Sequence, residues 1–105
     1  MQDWAGREVV LLESRWHGHI ALRHPEVAGY LDRIPEVLAK PNLVFQSNLD
    51  KDTLLFYRLG VTDGRRKNNY LTVVVRYKSD MGEVLTIYVP IAPTGGIGRL
   101  IYARH

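Results

Sequence analysis

The chain has no cysteine, no apolar run approaching the ~20 residues of a membrane helix, no internal repeat and no low-complexity segment. Without cysteine there is neither a disulfide framework nor a thiolate metal site, and any zinc would need His, Asp and Glu ligands alone. The opening MQDWAGREVV lacks a basic stretch followed by an apolar one, so no secretory signal is read. The expected location is cytoplasmic, although an exported toxin domain could be cut from a longer chain.

What remains is an ordinary globular composition: 105 residues, 46% apolar and 24% charged, which suits a single domain over 1–105 with one core. The net charge of +3 is unevenly placed. Residues 1–50 carry five Lys/Arg against seven Asp/Glu, a balance of −2, and residues 51–105 carry nine against four, a balance of +5. A basic half suggests attraction to a polyanion such as nucleic acid, and it also occurs on surfaces that bind nothing.

The segment Glu8 to Glu13 is short and β-branched, and reads as an edge strand or the lead into a helix. Ser14 is a candidate N-cap for a short helix through Trp16, Ile20 and Leu22, which Pro25 must end, leaving His24 at a junction. Val27, Leu31, Ile34 and Leu38 form one helical stripe in which Pro35 predicts a kink or two short helices. Strands are expected over 43–47, 53–61, 70–78 and 83–91, separated by turn-rich NLDKD, TDGRRKNN and SDMG, with a last short strand near 100–103. Helices followed by an antiparallel meander give an α+β fold, the N-terminal helices packed on one face of a four-stranded antiparallel sheet.

Strand alternation sorts the side chains by face. Thr72, Val74, Arg76 and Lys78 share one side; so do Val84, Thr86 and Tyr88, and so do Thr53, Leu55, Tyr57 and Leu59. If the three sets align, Tyr57, Arg76, Thr86 and Tyr88 form one surface, while Leu54, Phe56, Val73, Val75, Leu85 and Ile87 pack beneath the helices. Arg58 then falls on the buried side or at its edge. The competing reading is that Thr and Tyr are simply strand formers on a solvated face.

Three of the four histidines, His17, His19 and His24, lie within ten residues. Imidazole titrates nearest working pH, so the cluster suits acid/base chemistry, a pH switch or a metal. On a helix His17 and His19 point about 200° apart, and Pro25 prevents one continuous helix from aligning His24 with His17. No metal or other cofactor is therefore expected, and a half-buried His19 and a capping His24 are the structural alternatives.

WHGHIALRHPEV, followed by AKPNLVFQSN, LLFYRL, LTVVVRY, EVLTIYVP and GRLIY, resembles the small phage-associated nucleases grouped with barnase, EndoU, colicin and RelE-like ribonucleases. The resemblance runs from Trp16 to Tyr102. It implies helices on a four-stranded antiparallel sheet and metal-independent RNA cleavage. Carried over by position, the family's His of H-I is His19, the His of H-P-E is His24, the strand cation is Arg76, and the T-x-Y pair is Thr86 and Tyr88. The family's Y-x-R element reads Tyr57-Arg58, without a spacer.

The expected activity is thus an endoribonuclease of toxin or phage-conflict type, in which the RNA 2′-OH attacks the adjacent phosphate to leave a 2′,3′-cyclic phosphate. His19 and His24 would move the protons, Arg76 would balance the phosphorane charge, and Thr86 and Tyr88 would bond phosphate oxygens. Tyr57 and Arg58 would contact substrate, and Arg65, Arg66 and Lys67 would steer the RNA backbone. The partners are RNA and an inhibitor or antitoxin protein, with no membrane. The alternative is a non-catalytic RNA- or protein-binding module, or an assembly protein, on a degraded nuclease fold; no strand has the aromatic run of an RRM sheet.

Overall fold

The computed structural model describes residues 1–61, 69–93 and 96–104. Strand β1 (Glu8–Val10) leads into a helical run, α1 (residues 13–23), and then α2 (residues 25–39). Strands β2 (Leu43–Ser47), β3 (Thr53–Leu59), β4 (Tyr70–Lys78), β5 (Met81–Tyr88) and β6 (Ile97–Ala103) complete the fold. It is an α+β architecture with a six-stranded mixed sheet in the order β1-β5-β4-β3-β2-β6.

The expected meander is its centre, since β2, β3, β4 and β5 pair antiparallel in sequence order. Four strands become six because Glu8–Val10 pairs parallel with β5 and Ile97–Ala103 pairs with β2. Strand β5 begins at Met81, two residues earlier than expected, because Ser79 and Asp80 suffice for the turn, with Ser79 at φ 57°. It stops at Tyr88, before Pro90.

The helices depart from regular geometry where the sequence presses them to. Residues 13–23 form α-helical turns at Glu13–Arg15 and Ala21–Arg23 around a π-helical turn at Trp16–Ile20. Wider winding in the middle buries both Trp16 and Ile20 and leaves Leu22 exposed. Ser14 is not the cap; Leu12 holds that position without a side-chain bond. In α2, Pro25–Arg33 winds as a 3-10 helix and Ile34–Ala39 as an α-helix, with Pro35 in its first turn. At three residues per turn Val27 stacks on Tyr30, so Tyr30 is buried and Leu31 turns outward.

The core lies between helices and sheet. Trp16, Ile20, Val27, Ile34, Val37 and Leu38 meet Phe56, Val73, Val75, Val84 and Ile87. Asp3 pins the N-terminal segment to this layer: its buried carboxylate accepts from the Tyr77 hydroxyl at 2.7 Å, from Arg7 Nε at 2.9 Å and from the Ala5 and Arg7 amides. The Arg7 guanidinium lies 3.9 Å from the Tyr77 ring centre, so the acid, the cation and the phenol form one unit.

Val84 sits in this core and Leu85 does not, contrary to simple alternation. The cause is a bulge: Val74 pairs with Thr86 but Val75 pairs with Val84, leaving Leu85 unmatched. Gly82 is equally constrained, since a Cβ there would lie 2.7 Å from Val75 Cγ1 and 2.8 Å from Tyr77 Cε2. Gly82→Ala should cost about 1–3 kcal/mol, lowering the thermal midpoint by roughly 5–15 °C. An unchanged midpoint by calorimetry would show that the β4–β5 packing is looser than described.

Candidate functional site

The sheet face turned away from the helices carries the sequence-predicted residues. Tyr57 pairs with Thr72, and Thr72 with Tyr88, so these three form one row across β3, β4 and β5. Leu55, Val74 and Thr86 form the next row, and Thr53, Arg76 and Glu83 the one after. Arg76, Thr86 and Tyr88 therefore share a face. Arg58 points the other way, where its guanidinium bonds the Lys40 carbonyl and lies 3.6 Å from Glu36, tying α2 to β3. It is not brought to Tyr57's surface.

The centre of this face is dense. Tyr57 is fully buried, with Phe45 and Tyr70 edge-on to its ring at 5.8 and 6.0 Å. Among the described residues Thr72 Oγ1 and Thr86 Oγ1 are buried without a hydrogen-bond partner, while the buried Tyr57 hydroxyl has that of Tyr88 beside it. Leaving such groups unpaired typically costs ~1–3 kcal/mol each, so the two threonines, in adjacent rows, form a local store of unused hydrogen-bonding capacity. Burial, then the neighbouring Tyr88 hydroxyl, raise the Tyr57 phenol above its ordinary range, so it stays a donor at working pH.

The edge of β5 completes the site. Strand β1 ends at Val10, opposite Glu83, and the chain then enters α1, so the Thr86–Tyr88 half of β5 has no β1 residue beside it. At one end of α1, Arg15 Nη2 bonds Glu83 Oε2 at 3.2 Å; just past the other, the His24 ring lies 6.2 Å from that of Tyr88. His24 Nδ1 is also 3.4 Å from Glu26 Oε1. His19, half-buried between these anchors in sequence, lines a separate pocket with Leu12, Ser14, Arg15 and Gly18. His17 is exposed, 3.9 Å from Glu13.

Arg76 is exposed and lines a groove of about 490 Å³ with Arg15, Lys78 and Glu83. Thus the structure joins Arg76 to Arg15 and His24 to Tyr88, while the pocket of His19 shares Arg15 with the Arg76 groove. Arg65, Arg66 and Lys67 lie outside the described residues. Among the described residues no three His, Asp or Glu side chains gather as metal ligands do. Sequence reasoning missed Thr72 as a buried hydroxyl and Arg15 as a groove cation. Thr72 carried a signal, because alternation put it on the face of Arg76; Arg15 carried none.

Comparison with family models, with curated proteins and with solved structures found no match.

Tyr77 is raised like Tyr57, by burial first and then by its bond to Asp3. A phenol whose folded pKa lies above its free value of about 10 adds stability that is complete below that pH and is lost as pH rises past it. Their phenolate absorbance should therefore appear only together with alkaline unfolding followed by circular dichroism. The Tyr57→Phe/Tyr77→Phe double variant should lose that part of the signal. Full ionisation of all tyrosines in a still folded parent would contradict the burial of both.

Proposed function

We propose that the chain is a metal-independent endoribonuclease of barnase/EndoU/colicin/RelE-like type, a toxin or phage-conflict enzyme acting in the cytoplasm and held in check by an inhibitor or antitoxin protein. The observation that carries this reading is the conjunction, on one sheet face, of Thr86, Tyr88 and Arg76 with His24 against Tyr88. The residues match those implied by the family resemblance, and their register is independent of it. No described helix is long and apolar enough to cross a membrane.

In this reaction the substrate supplies its own nucleophile. The 2′ oxygen attacks the neighbouring phosphorus as one imidazole takes its proton; the bond to the 5′ oxygen breaks as the other imidazole protonates that oxygen. His24 and His19 are the two imidazoles. Arg76 offsets the charge gathering on the phosphorane, and the hydroxyls of Thr86 and Tyr88 donate to its oxygens. Among the described residues Thr86 Oγ1 has no partner to give up. Tyr88, which is half-buried, offers ring surface to a base, whereas the fully buried Tyr57 supports it from beneath.

A non-catalytic RNA-binding module on the same face is the second reading, favoured by the separate pocket of His19. Incubation with total RNA in EDTA separates the two. The parent should yield 2′,3′-cyclic phosphate ends, and His24→Ala should lose at least about a hundredfold in rate while its thermal midpoint falls only a few degrees. His17→Ala should cleave like the parent. Cleavage by His24→Ala at the parental rate, or none by the parent on tRNA, rRNA or mRNA, would leave the binding module as the function.

A further inference from the structure

The end of the sheet beyond Arg76 carries charge that the proposed chemistry does not use. The groove of Arg15, Arg76 and Lys78 abuts a second one, of about 340 Å³, lined by Arg7, Lys51, Asp52 and Ser79, and Lys78 lines both. Together they present five cations, Arg7, Arg15, Lys51, Arg76 and Lys78, against two carboxylates, Asp52 and Glu83.

Most of the nearby acid is already bound within the protein. Glu83 is held by Arg15, Asp3 by Arg7 and Tyr77, and Asp50 accepts from the Thr53 hydroxyl at 2.8 Å and the Asp52 amide at 3.0 Å. Those bonds, the Asp52 amide first, and then the nearby charges of Arg76 and Lys51 hold the Asp50 carboxyl below the usual range. Among the described residues Lys51, Arg76 and Lys78 form no ion pair. Arg76 and Lys78 share the face of Thr72 and Val74 on β4, so the cations carry that face along the strand from the hydroxyl row toward the β4–β5 turn.

We infer that the paired grooves are a phosphate track that binds single-stranded nucleic acid along β4, extending from Arg76 through Lys78 to Lys51. A mobile, exposed lysine suits this role, because a phosphate backbone is met as a series of point charges and releases its counterions on binding. The inference rests on the proposed function for the polarity of the site, and its test does not depend on cleavage.

Binding of an uncleavable 2′-deoxy oligonucleotide to the full chain should be followed by fluorescence anisotropy over a range of salt. Lys51→Ala and Lys78→Ala should each reduce the slope of log K against log salt by roughly 0.7, the value for one phosphate contact on a single strand. Lys40→Ala, at the C-terminal end of α2, removes the same charge and should leave the slope unchanged. Equal slopes for all three variants would overturn the track, as would failure of the parent to bind at low salt. A polyglutamate peptide of equal charge binding as tightly as the oligonucleotide would also overturn it, in favour of an acidic protein partner. If the parent binds with the expected slope and cleaves nothing, the track stands and the ribonuclease reading falls.

Discussion

One unmatched residue, Leu85, decides which way β5 faces at each of its ends. On one side of the bulge Gly82 and Val84 point into the core and Glu83 points out; on the other Ile87 points in while Thr86 and Tyr88 point out. Without the extra residue, alternation would put Val84 on the same face as Thr86 and Tyr88 and remove it from the core. The bulge thus permits a continuous apolar layer beneath the helices and keeps Thr86 and Tyr88 together with Arg76 on the other side. Bulges near functional sites commonly act in this way, by redirecting one stretch of strand.

The second constraint is the brevity of β1. Three residues pair with Met81–Glu83, and the chain then becomes helix. A longer edge strand would close off β5 beside Thr86 and Tyr88. Instead α1 passes there, with Arg15 fixed to Glu83 and His24 set against Tyr88. The π-helical turn between them changes the angular spacing of side chains, so His19 and His24 cannot be placed by a wheel drawn at 100° per residue.

Much of this was legible in the sequence because period-two patterns report a strand's faces directly. The ranges 43–47 and 70–78, the shared face of Arg76, Thr86 and Tyr88, and the opposite placement of Arg58 all follow from alternation and turn chemistry. Leu85, Val84 and Leu31 were misassigned for one reason: a bulge and a 3-10 segment change the period locally, and neither leaves a mark in the order of apolar residues. The edge strands were harder to read, since Glu8–Val10 is short and Ile97–Ala103 follows a glycine-rich stretch. The Asp3, Arg7 and Tyr77 unit joins residues more than seventy positions apart, a contact that no local pattern encodes.

The central claim is that nucleic acid is met on the face opposite the helices and at the β5 edge. Amide chemical-shift mapping with an uncleavable 2′-deoxy oligonucleotide tests it most directly. The account predicts that the largest shifts fall at Arg76, Lys78, Thr86, Tyr88 and His24, with little change along α2. Shifts concentrated on α2, or on β6 without β4 and β5, would contradict it.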